Sequence, residues 1–134
     1  MWITAYDEKL KNEIFNGAIV FEKHFRVREK VKKAVLYVSA LGAFDWSLND
    51  EFSNDYFMPG WTDYSKEVHL CEYDVSNALH ADNLLTITVA KGWYAGRLGY
   101  IAKGEIYGKT PAIYAKIIIE YYNGKSETIE SDAS

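Results

Sequence analysis

Cys71 is the one cysteine in 134 residues, so no disulfide can form within the chain and a reducing compartment is admissible. No apolar run approaches the roughly 20 residues that a bilayer-spanning helix requires, and no membrane partner is expected. The opening MWITAYDEKLKNE has neither the basic nor the apolar part of a secretion signal, which favours a cytoplasmic over a secreted location. A basic excess is missing too: the net charge of −4 describes an acidic surface, and nucleic acid is not an expected partner. Internal repeats and low-complexity linkers are absent.

Aromatic residues are plentiful. Four Trp and eleven Tyr against two Met favour pleated sheet over a helix bundle, because flat and β-branched side chains pack well on a pleated surface. With 49% apolar residues the chain has material for one well-packed domain and too little for two. Residues 1–17 read as a lead-in and residues 18–134 as a single domain.

Along that domain, AIVFEKHFRV (18–27) alternates with a period of two, Lys23 being the exception on its apolar face. KAVLYVSAL (33–41) is apolar on both faces, as a central strand is, and Gly42 separates it from the alternating Phe44, Trp46 and Leu48. The stretch 49–64 reads as a short strand running into an ordered loop, and 67–73 as a further strand. DVSNALHADN suits one or two turns of helix. NLLTITVA (83–90) is a strand that leads into a glycine-rich loop ending near Thr110. AIYAKIIIEYY follows, and Asn123-Gly124 predicts a type I′ hairpin turn into KSETIES. Seven or eight strands without recurring helices predict an all-β, two-sheet antiparallel β-sandwich or jelly roll with at most one short helix.

Most apparent chemical motifs dissolve on inspection. GEIYGKT (104–110) has three residues between its glycines where a phosphate loop has four, and Pro111 and a β-rich run follow it instead of a helix. His24, His69 and His80 are far apart in sequence and one cysteine cannot complete a zinc site among them. Cys71, alternating with His69 and Tyr73, reads as a small buried side chain. No serine occupies a nucleophile elbow. Glycoside hydrolysis needs two facing carboxyl groups, and the 19 acidic residues single out no pair. A sandwich this small suits binding better than catalysis, since binding needs only an exposed aromatic and a few polar groups.

Two loops carry such groups. The first has Asn49, Asp50, Asn54 and Asp55 near Tyr56, Trp61 and Tyr64; the second has Trp93, Tyr94, Arg97 and Tyr100. Sugars present apolar C–H faces fringed by hydroxyls, so an aromatic platform beside Asp, Asn or Arg matches them. Trp93, Tyr94, Trp61, Tyr64, Asn49 and Asp50 are therefore the candidate ligand-binding residues, with core packing of the aromatics as the competing reading. The oxygen-rich first loop also admits a calcium ion, although no EF-hand spacing is present.

Several phrases, in order, carry a resemblance: FEKHFRV at Phe21, AVLYVSALGAFDWSLND at Ala34, MPGWTDYSKEV at Met58, EYDVSNAL at Glu72, NLLTITVAKGWYAGRLG at Asn83, YGKTPAIYAKIIIEYYNG at Tyr107 and the terminal SD at Ser131. Together they resemble the N-terminal β-sandwich domain of bacterial α-L-rhamnosidases, over nearly all of the chain after about residue 20. The resemblance implies a jelly-roll, galactose-binding-like domain ahead of a separate helical-barrel catalytic domain that hydrolyses terminal α-L-rhamnosyl groups with inversion. This piece would be non-catalytic and cut at its C-terminal side from that larger enzyme, since the family continues into a further Trp-containing strand. Some related domains hold L-rhamnose, with calcium, and others are structural. Partners implied are a rhamnose-containing glycan or glycoside and the catalytic domain of the same parent chain. Asn49-Asp50 stands where the family usually has Asn-Gly, which implies a different turn or a carboxylate placed there.

Overall fold

The computed structural model describes residues 1–5, 17–55, 58–60, 62–92 and 110–133. Eight strands run in chain order: β1 (Ile19–Arg26), β2 (Val31–Leu41), β3 (Ala43–Leu48), β4 (Glu51–Phe52), β5 (Cys71–Asp74), β6 (Asp82–Ala90), β7 (Ala112–Tyr121) and β8 (Ser126–Glu130). They form two four-stranded sheets, β1-β6-β3-β4 and β5-β2-β7-β8, with every pairing antiparallel. The expected two-sheet sandwich is what the chain builds, and no helix is among the elements the structure describes.

Period-two alternation places the core. Leu36, Val38 and Ala40 of β2, Phe44, Trp46 and Leu48 of β3, Leu85, Ile87 and Val89 of β6, and Ile113, Ile117 and Ile119 of β7 are buried in one cluster between the sheets. Each large member contributes about 1.5–3 kcal/mol of burial. Lys23, the break in the alternation of β1, faces inward with its neighbours Phe21 and Phe25, and its ammonium meets the Asp132 carboxylate at 2.9 Å. Gly42 alone carries the chain from β2 in one sheet to β3 in the other. Its φ of 143° is one that side-chain-bearing residues rarely adopt, and a Cβ there would run into the Ala90 carbonyl oxygen.

Three local expectations are corrected. The segment after β5 forms a single turn in place of one or two turns of helix: Ala78 N–H donates to the Val75 carbonyl at 3.0 Å, and the Asp74 carboxylate accepts from Ser76 N–H. Asn83 ends the turn by accepting from His80 N–H at 2.7 Å and donating to the His80 carbonyl at 2.7 Å. Such side-chain bonds offer the backbone an alternative to helix. β5 begins at Cys71 rather than at residue 67, because the Asp63 carbonyl gathers Lys66 and Glu67 N–H into a turn. The β7-β8 hairpin is not type I′, which requires positive φ at both central residues. Only Gly124 has it (φ 83°), and Gly124 N–H donates to the Tyr121 carbonyl while Tyr121 N–H donates to Lys125. That is a type I turn closed by a glycine bulge.

Residues 1–4 lie along the free edge of β7 above β8. Ile3 bridges Ile113 in both directions, and Thr4 Oγ1 donates to the Pro111 carbonyl at 2.7 Å.

Asn49 and Asn83 tie the opposite end of the sandwich together. The β3-β4 loop is the two residues Asn49 and Asp50, between the paired Leu48 and Glu51, and Asn49 holds a left-handed φ of 54°. Its carboxamide donates to the Ala78 carbonyl at 2.7 Å and to Asn83 Oδ1 at 2.8 Å, and accepts from Leu84 N–H at 3.0 Å. Asn83 is 3% exposed. Asn83→Ala should leave several buried donors and acceptors unmatched and lower unfolding free energy by about 2–4 kcal/mol in urea melts, whereas Asp50→Ala should change it by less than about 0.5 kcal/mol.

Candidate functional site

β4 and β5 are the edge strands of their sheets on the same flank of the sandwich. Both are short, with two and four residues, so the flank is not closed by backbone pairing and opens as a cleft of about 480 Å³. Trp46 of β3 and Tyr73 of β5 meet across it, ring centroids 5.1 Å apart and tilted by 57°. Phe52 forms the rim and is 69% exposed. Glu51, Asn54 and Asp55 line the β4 side; Glu72 and Asp74 line the β5 side; Val75, Asn77 and Ala78 close the bottom.

The alternation of each strand explains the placement. β3 turns Trp46 inward with Phe44 and Leu48, and β5 turns Cys71 and Tyr73 inward while Glu72 and Asp74 face water. Beyond Phe52, the chain is pinned by Ser53, whose N–H donates to the Trp46 carbonyl at 3.0 Å and whose hydroxyl donates to the Asp55 carbonyl at 2.6 Å. Asn54 and Asp55 are thereby held over the cleft.

Electrostatically, the cleft is acidic: Glu51, Asp55, Glu72 and Asp74 line it, and no Lys, Arg or His is among its described lining residues. Lys33 lies near enough to Asp74 to help hold that carboxyl low, although the Ser76 hydrogen bonds do more. At the inner wall, Trp46 Nε1–H and the Tyr73 hydroxyl are buried close to one another and to the Cys71 thiol, with no well-formed hydrogen bond. Burial, then the adjacent Cys71 thiol and Asp55, push the Tyr73 phenol well above its ordinary range. The Cys71 thiol is raised as well, by burial first and by Asp55. An uncharged phenol and indole N–H beside carboxylates give this wall both donors and acceptors. Among the described residues no three His, Cys, Asp or Glu side chains converge tightly enough to hold an ion.

The opposite flank, between β1 and β8, has a groove of about 500 Å³ lined by Phe21, Phe25, Leu85, Ile87, Ile113 and Ile117 together with ion-paired Lys23 and Asp132. It opens onto the core through a mostly apolar wall, and Thr4, Glu22, Lys116, Glu130 and Ser131 also line it.

The residues singled out in the sequence are distributed as follows. Asn49 has both ends of its carboxamide engaged within the fold, and one of those bonds holds Ala78 at the bottom of the cleft. Asp50 is exposed at the tip of the same turn. Tyr64 is half-buried with its hydroxyl shielded from water. Trp61, Trp93 and Tyr94 lie outside the described residues, as do Tyr56, Arg97 and Tyr100. Gly92, where the chain leads into that second loop, lies against Ala43 at the far end of β3 from Asn49. At about 3.3 Å per residue the two ends of the strand are roughly 17–20 Å apart. Trp46, Phe52, Tyr73, Glu72, Asp74 and Asn77 were not selected from sequence. Each is an unremarkable strand or turn residue locally, and only the shared flank of β4 and β5 joins them.

The fold and the cleft define the class: a two-sheet antiparallel β-sandwich domain with a polar, aromatic opening along one flank. The family model described as "Alpha-L-rhamnosidase N-terminal domain" matches residues 29–134, and the chain belongs to that family. It is 42% identical over 121 residues to an α-L-rhamnosidase of Streptomyces avermitilis, covering 88% of this chain and 12% of that protein. The crystal structure of native α-L-rhamnosidase from Aspergillus terreus superposes with a TM-score of 0.90 at 31% identity, over 98% of this chain and 15% of that one. The S. avermitilis enzyme complexed with L-rhamnose superposes with a TM-score of 0.81 at 38% identity, over 87% of this chain and 12% of that one. The chain thus spans about an eighth of the length of the first of these relatives.

Because folding raises the Tyr73 pKa, its contribution to stability is complete below about pH 10, where the unfolded phenol ionises, and is lost as pH climbs beyond it. Burial, with Glu127 beside it, also pushes the Tyr121 phenol up, to about 12, so spectrophotometric titration should show late phenolate components from both residues, and Tyr73→Phe should remove the latest of them.

Proposed function

We propose that this chain is the non-catalytic N-terminal domain of an α-L-rhamnosidase and that it holds rhamnose-containing glycans as an ancillary binding module, in the β4-β5 cleft. Family membership and the relatives' names support the parent enzyme. The observation that carries the binding reading is the cleft itself: an exposed Phe52 beside the Trp46-Tyr73 pair, flanked by carboxylates and by Asn54 and Asn77. A deoxy-sugar lays its C–H face on an aromatic ring and donates its hydroxyls to carboxylate oxygens. Binding of this kind needs no reacting group. The parent's rhamnosidase chemistry belongs, in this reading, to the part of the relatives that this chain does not span.

A second reading, a domain that packs against the catalytic domain and shapes it without holding sugar, draws on the apolar groove between β1 and β8. An opening onto core residues is the kind of surface that a neighbouring domain covers. The two readings use opposite flanks.

Titrating the domain calorimetrically with L-rhamnose, with calcium and then with a chelator, should give saturable heat. Phe52→Ala should weaken it by about tenfold, the scale of one lost aromatic platform. A flat titration under both conditions would overturn the binding reading and leave the packing one. The purified domain should not turn over an aryl α-L-rhamnoside.

A further inference from the structure

The cleft's lining constrains which glycans it accepts. We propose that the β4-β5 cleft selects uncharged, hydroxyl-rich rhamnosides and rejects anionic ones, such as rhamnose linked to a uronate. This inference rests on the sugar-binding reading above.

Two independent observations lead to it. The first is charge: Glu51 and Asp55 stand on one side and Glu72 and Asp74 on the other, with no cationic side chain among the described lining residues. A ligand carboxylate or sulfate in that space meets repulsion from both walls and has no counter-charge to offset its desolvation. Lys33, which helps to hold the Asp74 carboxyl low, lies outside the lining. The second is the inner wall. Trp46 is 8% exposed, yet its indole N–H is buried with no well-formed hydrogen bond, and the Tyr73 hydroxyl, which lies by Trp46 and Cys71, makes none either. An N–H needs an acceptor and carboxylates need donors. A hydroxyl provides both: it accepts at the inner wall through its oxygen and donates to a carboxylate through its proton. An anionic oxygen only accepts, so it suits the indole and opposes the rest of the cleft. Unmatched polar groups at the inner wall make a ligand without hydroxyls a poor substitute.

The test uses a pair of ligands that differ in one charge: a galacturonosyl-rhamnose disaccharide and its methyl ester, with methyl α-L-rhamnoside as reference. At low ionic strength the ester should bind at least about tenfold more tightly than the acid, and the gap should shrink as added salt screens the walls. The double variant Glu51→Gln/Glu72→Gln changes two exposed side chains, and circular dichroism should show it folded. It should bring the acid's affinity towards the ester's. Equal binding of acid and ester, or tighter binding of the acid, would overturn the selectivity while leaving the sugar-binding reading intact. Failure of all three ligands to bind would overturn both.

Discussion

The hydrogen-bonded pair Asn49-Asn83 is the constraint on which the lower end of the sandwich depends. Asn83, buried at the start of β6, satisfies the backbone of the turn before it and accepts from Asn49, and Asn49 in turn binds Ala78 and Leu84. Two amides thus join the β3-β4 loop, the start of β6 and the β5-β6 connection. Buried amides are costly when unmatched, and their full satisfaction fixes one arrangement of three segments. The cleft inherits that rigidity, because Val75, Asn77 and Ala78 line its bottom.

The two flanks of the sandwich express the same physics differently. Where the edge strands β1 and β8 stand apart, the core opens as mostly apolar surface, and the inward-facing Lys23 is matched by Asp132. Where β4 and β5 stand apart, aromatic rings cover the core and carboxylates ring them. Short strands at an edge limit further strand addition and leave side chains, rather than backbone groups, to meet a ligand. One flank is thus polar and aromatic, the other mostly apolar.

Strand positions were legible because a sheet with one buried face writes its alternation into the residues. β1, β3, β6 and β7 fall within a residue or two of where Phe21, Phe44, Leu85 and Ile113 place them. The turn types were less legible. Asn123-Gly124 satisfies both a type I′ turn and a type I turn with a glycine bulge, and the pairing of Tyr121 with Lys125 decides between them. DVSNALHADN has a helical cap, but its last residue, Asn83, takes backbone groups of His80 that a helix would have used.

Of the residues singled out in the sequence, Asn49 adjoins the cleft, through Ala78 at its bottom. Asn49 matters through Ala78 and Asn83 rather than through an open carboxamide. By itself the sequence determined an all-β domain and its family phrases, since both are written in local spacing. Only the tertiary structure decided that Trp46, Phe52 and Tyr73 line one cleft. They lie on three strands, two of them in one sheet and the third in the other, and strand order is set by long-range pairing that no local pattern records.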